Sequence, residues 1–140
     1  MGIGVGVMVM KGDKILLGHR HPDPEKASSD LQGQGTWTFP GGKVDFGETI
    51  KSAAERELIE ETGIKSADLE IFSITDDIKG SKHYLTAGFI CKKFEGEPKA
   101  MEPQEITEWK FFELNNLPKP LFFPTEKMIK NYLAKKVYYA

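Results

Sequence analysis

The chain has one cysteine, Cys91, so no intramolecular disulfide can hold it together, and a reducing, cytoplasmic setting is the simplest expectation. A lone cysteine of this kind reads as a small buried hydrophobe. There is no apolar run near the ~20 residues that a membrane helix requires. The opening "MGIGVGVMVM" is short and followed by Lys11 and Asp13, with neither a basic leader nor a cleavage site, so it reads as a strand rather than an export signal. Excess charge of either sign is also lacking. The 19 Lys and Arg against 21 Asp and Glu leave a net charge of -2, which argues against wholesale binding of a nucleic-acid backbone. No internal repeat or linker interrupts the 140 residues, which are expected to form one domain, 1–140, with a core of ordinary size.

Within these bounds the pattern alternates between strand and helix periods. Ile3, Val5, Val7 and Val9 alternate with small or flexible residues, and "KGDK" supplies a turn before the apolar stretch from Ile15 to Leu17, so an N-terminal hairpin is expected. The segment from His21 to Gly35, "HPDPEKASSDLQGQG", has no apolar period and reads as a surface loop. Trp37 to Phe39 reads as a brief strand that Pro40, Gly41 and Gly42 terminate. A helix is expected over Thr49 to Thr62, with Thr49 as its N-cap and Gly63 as its stop. "LEIFSITDDI" and "HYLTAGFICKKF" read as two strands about the turn "KGSK", and "ITEWKFFEL" as a third. Met128, Ile129, Tyr132 and Leu133 have helical spacing in a last helix from about Thr125 to Lys136. Trp37 and Trp109 are expected in the core, and His19 and His83 are given no catalytic role.

The stretch "RELIEETG" crowds Glu57, Glu60 and Glu61 into little more than one helical turn. On a wheel of 100° per residue, Glu57 and Glu61 share a face with Ile50, Ala53 and Ala54, and Glu60 lies at its edge. A merely solvated acidic face would lie opposite the apolar positions. Like charges four apart weaken a helix by a few tenths of a kcal/mol, so something must offset them. Converging carboxylates are a hard-oxygen donor set suited to Mg²⁺ or Mn²⁺. Immediately ahead, "GGKVDFGE" adds a glycine-rich turn, through which backbone groups can approach a ligand closely, and Glu48.

Read through, the pattern is Gly42, five residues, Glu48, seven residues, Arg56-Glu57-Leu58, one residue, Glu60-Glu61, one residue, Gly63-Ile64. It resembles the signature of the Nudix hydrolases at every specified position. The resemblance implies an α+β Nudix fold, a mixed β-sheet sandwiched between α-helices, over nearly the whole chain. It implies that Glu57 and Glu61 hold one or more Mg²⁺ ions, with Mn²⁺ able to substitute, that Glu60 shares the metals or orients water, and that the Gly42 carbonyl completes the shell. Glu48 and Arg56 match positions that pair to hold the loop against the helix. The chemistry implied is attack of water on a phosphorus of a linked diphosphate, with Glu60 or Glu57 taking its proton. Glu102 and Glu105 are candidates for a further acid at the metals. Arg20, in "LLGHR", matches a basic position that meets substrate phosphates.

A second layer of resemblance points to a branch. "GVGV", "LLGHR", "FPGGKVDFGET", "EPKAMEPQEITEW" and "LPKPLFFPTEKMI" are similar to the MutT-type nucleotide diphosphatases, which act on dNTPs and on oxidised dGTP such as 8-oxo-dGTP. The expected reaction is cleavage of a small-molecule nucleoside triphosphate to monophosphate and diphosphate by a cytoplasmic housecleaning enzyme. Thr38, Phe39, Leu121 and Phe122 would then form the base pocket. No proline lies between Gly63 and Pro98, which lowers the expectation for ADP-ribose. Nucleotide sugars, RNA 5′ ends and prenyl diphosphates remain alternatives, as does a non-catalytic sensor, although sensors typically lose box glutamates. Dimers are frequent in this branch, so a homodimer is left open.

Overall fold

The computed structural model describes residues 1–27 and 29–139; Ser28, within the expected surface loop, and Ala140 lie outside the described residues. In chain order the elements are β1 (Gly2–Lys11), β2 (Lys14–Arg20), β3 (Trp37–Thr38), β4 (Gly41–Lys43), α1 (Ile50–Thr62), β5 (Lys65–Ser66), β6 (Glu70–Lys79), β7 (Lys82–Cys91), β8 (Phe94–Glu95), β9 (Ile106–Glu113) and α2 (Phe123–Ala134).

Strand β1 organises the molecule. Alternation sends Val5, Val7 and Val9 to one face of the sheet, where they pack with Leu16, Ala87, Phe89 and the α1 residues Ala53, Ala54 and Leu58. The intervening Met8 and Met10 go to the other face, to meet Ile15, Leu17, Phe39 and the α2 residues Met128 and Ile129. A strand buried on both faces must be apolar or small at every position, a stricter condition than alternation, and "GVGVMVM" meets it. The main sheet has seven strands along the path β3-β2-β1-β7-β6, with β4 on β1 and β9 on β2. The β1–β7 ladder is parallel, from Gly2 opposite Tyr84 to Val9 opposite Cys91, and the remaining ladders are antiparallel. The sheet is therefore mixed and lies between two helices, as expected.

The expected hairpin, the strands about "KGSK" and the strand from Ile106 are all present within a few residues of their expected limits. Cys91 is buried. Thr49 is the N-cap of α1, accepting from Ser52 N–H at 3.0 Å, and Gly63 closes the helix at φ +78°, a conformation that glycine adopts without a Cβ penalty. Helix α2 begins before Thr125 because Pro124 occupies its first turn, where no N–H is needed, and it ends before Lys136 because Lys135 turns left-handed. The described residues of the 21–35 segment form neither helix nor strand, but they are more than a solvated loop. Ala27, Leu31 and Gly33 are buried, and Gly35 N–H donates back to the Arg20 and His21 carbonyls at the end of β2.

Candidate active site

The candidate site starts with the two glycines that end the β3 extension. Gly41 and Gly42 form β4 and pair with Gly6 and Val5 of β1, instead of making the plain turn that a glycine pair suggests. A Cβ on Gly41 would lie 2.1 Å from the Val5 carbonyl oxygen, and one on Gly42 would lie 2.6 Å from the carboxyl carbon of Glu57. The first glycine lets two backbones approach. The second lets a carboxylate lie against the backbone.

Helix α1 presents its carboxylates to this strand. Glu61 accepts from Gly41 N–H at 2.7 Å, and its own carbonyl accepts from the Trp109 indole N–H at 3.0 Å, so both ends of the residue are tied. Trp109 is therefore a positioning residue as well as the core residue expected. Arg56 is the hub of the remaining acids. Its Nε and Nη2 form a two-pronged pair with Glu48 at 2.7 and 3.0 Å, Nη1 donates to Glu57 at 2.8 Å and to Glu60 at 3.2 Å, and Nη2 also reaches the Lys43 carbonyl. Glu48, ahead of the helix, and Arg56, within it, are thus paired through two hydrogen bonds. This pairing also adds to the account of the acidic crowding: a protein cation already offsets part of the repulsion, and a metal is not its only remedy.

The acids differ in environment. The Glu57 side chain is 14% exposed, and burial raises its pKa despite the nearby Arg56. Glu61 lines a concave, desolvated wall, and burial holds its pKa well above the ordinary carboxylate range; the Gly41 N–H opposes this, while the charges of Glu57, Glu102 and Glu105 reinforce it. Glu60 is 51% exposed at the rim. Glu48 is pulled down to about 2 by the Arg56 hydrogen bonds, and Arg56 is pushed up by the same pair. Glu102 and Glu105 face the same cavity, and burial raises the Glu102 pKa, with Glu105 and Glu60 adding to it.

Among the described residues, no three acidic, histidine or cysteine side chains converge into a ready-made metal cage, because Glu57 and Glu60 bend toward Arg56. The donor set nevertheless fits a hard divalent cation. It consists of carboxylate and carbonyl oxygens only, it carries more negative charge than Arg56 balances, and the missing Cβ at Gly42 lets Glu57 meet the backbone. Glu57, Glu60, Glu61 and the Gly42 carbonyl are the residues that could hold the ion.

These acids line one end of a cavity of about 440 Å³ that continues to Thr38, Phe39, Phe122 and Thr125. Thr125 Oγ1 accepts from Phe39 N–H at 3.1 Å, tying α2 to the β3 extension. Thr125 was legible only as the start of a helix. Arg20 also lines the cavity, with its guanidinium 5.1 Å from the centre of the Phe122 ring. Its Nε donates to Gly33 O at 3.0 Å and Nη2 to Ala27 O at 2.7 Å, so the 21–35 loop holds it in place. Leu121 departs from expectation. It packs into the core on the α2 side and does not line the cavity, because consecutive residues in extended backbone point to opposite sides and Phe122 takes the cavity side. His19 stacks on Trp37, and neither His19 nor His83 lines the cavity.

The glycine strand, the glutamate helix and the sheet between helices define a class, and comparison with known proteins agrees. The NUDIX domain family matches residues 1–132, and the chain belongs to this family. It is a hydrolase of phosphoanhydride bonds, and the family generally uses divalent metal ions. The chain is 40% identical over 139 residues to the ADP-ribose pyrophosphatase of Methanocaldococcus jannaschii, covering 96% of this chain and 74% of that one. It is 31% identical over 107 residues to the 8-oxo-dGTP diphosphatase of Escherichia coli, covering 76% and 77%. The crystal structure of a MutT NUDIX hydrolase from Burkholderia pseudomallei superposes with a TM-score of 0.83 at 30% identity, covering 93% of this chain and 96% of that one. No helix is long and apolar enough to cross a membrane among the described residues.

Proposed function

We propose that the protein is a Mg²⁺-dependent diphosphatase that cleaves a nucleoside triphosphate, canonical or oxidised, to the monophosphate and diphosphate, acting on the nucleotide pool of the cytoplasm. The observation that carries this reading is the continuity of one cavity, acidic at the Glu57–Glu61 end and aromatic with hydroxyls at the Phe39–Phe122 end. A base gripped between Phe39, Phe122 and Thr38 would set the near phosphates over α1, and the terminal phosphate would point away. Arg20, anchored by two loop carbonyls, keeps other N–H donors for phosphate oxygens. A Mg²⁺ ion bound by Glu57, Glu60, Glu61 and the Gly42 carbonyl would neutralise phosphate charge and lower the pKa of bound water. Glu57 and Glu60 are the candidates to take the proton of the attacking water, and Arg56 holds both.

Product analysis tests the placement. Monophosphate and diphosphate are expected; primary release of orthophosphate would refute it. Hydrolysis in ¹⁸O-water then distinguishes attack at the α-phosphorus, the expected site, which labels the monophosphate, from attack at the β-phosphorus, which labels the diphosphate. A second reading is favoured by the relative that is 40% identical: ADP-ribose would occupy the same cavity and yield AMP and ribose 5-phosphate. Parallel kcat/KM values for dGTP, 8-oxo-dGTP and ADP-ribose decide between them.

A further inference from the structure

A polar cluster of four residues stands at and behind the cavity wall, on β6, β7 and α2. Asp77, on β6, is fully buried. Its Oδ2 accepts from Thr86 Oγ1 at 2.6 Å and from Thr75 Oγ1 at 3.1 Å, and the Lys127 ammonium of α2 lies 3.3 Å from its Oδ1. Lys127 also donates to the Asp76 carbonyl. Thr75 and Thr86 are direct cross-strand partners, so both hydroxyls and the carboxylate lie on the α2 side of the sheet. A buried carboxylate paired with an ammonium is an acceptor only, so in both contacts the threonine must donate.

Thr86 has a second environment. It lines the cavity, opposite Gly4 of β1 in the parallel ladder, and its Oγ1 lies 3.6 Å from where a Cβ on Gly4 would stand. Thr86 is largely buried, and the missing Cβ at Gly4 leaves space beside its hydroxyl oxygen at the cavity wall. A hydroxyl has one proton and two lone pairs, and the proton of Thr86 is committed to Asp77. Among the described residues no protein donor reaches its lone pairs. Rotation of the hydroxyl would give up the shorter of two hydrogen bonds to a buried carboxylate whose Oδ1 has no hydrogen-bond partner beyond the nearby Lys127 charge, which is costly, so the orientation is held.

We infer that Thr86 is a specificity-determining residue whose hydroxyl, oriented by Asp77 and Lys127, accepts a hydrogen bond from an N–H or O–H donor on the nucleoside part of the substrate. This rests on the nucleotide reading above. Asp77 and Lys127 do not touch the substrate; they are positioning residues that make Thr86 an acceptor rather than a donor. A site with a fixed acceptor discriminates against analogues lacking the donor, because the acceptor is then left unpaired.

The test is a set of substrate pairs differing by one donor: guanosine against inosine triphosphate, adenosine against purine-riboside triphosphate, and ribo- against 2′- and 3′-deoxyribonucleotides. In the wild-type enzyme one pair should differ in kcat/KM by about tenfold through the Thr86 bond. The pair that responds identifies the donor. Thr86→Val, which keeps the branched shape but removes the hydroxyl, should bring that ratio close to one; Thr86→Ser should restore it. Asp77→Asn, whose amide can itself donate, should reduce the same ratio without touching the substrate, with thermal melts run alongside to identify any unfolded variant. If Thr86→Val does not fold, the Ser and Asn variants carry the comparison alone. Ratios that are equal in the wild-type and Thr86 variants, or a uniform loss on both members of every pair, overturn the role of Thr86 while leaving the nucleotide reading intact. Failure of the wild-type enzyme to turn over any nucleotide overturns both.

Discussion

Substituting alanine at Gly42 and, separately, at Gly41 should split activity from stability at adjacent residues. At Gly42 the new Cβ would lie 2.6 Å from the carboxyl carbon of Glu57 and 2.7 Å from both carboxylate oxygens. Nothing in the backbone forbids it, since Gly42 is not among the positive-φ glycines. The obstacle is the far end of a flexible side chain, so the fold can yield. To reach an ordinary contact of 3.4 Å, the carboxyl group must retreat by about 0.8 Å. It would move away from the Gly42 backbone, with which it is proposed to share a metal. Displacing a group in a reacting constellation by that order costs on the order of 100-fold, or about 2.7 kcal/mol in the barrier. At Gly41 the Cβ would lie 2.1 Å from the Val5 carbonyl oxygen, which is backbone within the sheet and cannot step aside. That substitution should destabilise the protein by several kcal/mol or prevent folding. The assay is kcat/KM at saturating Mg²⁺ on the best substrate, with thermal denaturation of the same preparations. Gly42→Ala is expected to melt close to the wild type and to lose activity heavily; Gly41→Ala is expected to lose its fold. Near-normal kcat/KM in a well-folded Gly42→Ala would refute the claim that the closeness of Glu57 to this backbone matters for catalysis.

Other outcomes can be checked in the same preparations. Glu57→Gln keeps the shape but removes a proposed ligand charge, and it should lower turnover by orders of magnitude with the fold intact; near-normal turnover in saturating Mg²⁺ would remove Glu57 from the metal site. Arg20→Ala should raise KM more than it lowers kcat, because the guanidinium is proposed to grip non-reacting phosphates, and unchanged kinetics would reduce Arg20 to an anchor for the 21–35 loop. The pH dependence of metal-free stability should have two opposed windows. Glu48 is depressed from 4.5 to about 2, so its contribution is present above 4.5 and lost as pH falls toward 2; Glu48→Gln should flatten that acid limb in urea titrations. Glu61 is raised, so the folded state holds its proton more tightly, and stability should instead decline as pH rises above 4.5. Glu61→Gln should shrink this decline, the raised Glu57 and Glu102 supplying the remainder, and a decline of undiminished size in the variant would show that Glu61 is not its source.

The acidic helix was legible because its pattern is local. Helix α1 lies within a single contiguous stretch, and helical periodicity alone puts Glu57 and Glu61 on the side that carries Ala53 and Ala54. Capping by Thr49 and Gly63 is equally local, and the hairpin and the long strands follow from alternation and turn residues. The sequence by itself therefore determined the family, the acidic face and most element boundaries. It could not determine what meets that face, because the partners are far away in the chain. Gly41 and Gly42 read as a turn, yet β1 draws them into a strand, since only residues without side chains fit between Val5 and Glu57. Leu121 and Phe122 both read as pocket wall, and only the direction of the backbone entering α2 sent one to the core and the other to the cavity. Arg20 carried no signal of the loop carbonyls that hold it, nor Trp109 of the Glu61 carbonyl it anchors. Asp77 and Thr86 were ordinary strand residues until the register of β6 on β7 put them in contact. A one-residue change in that register would turn them to opposite faces of the sheet, so their meeting is a property of the tertiary structure alone.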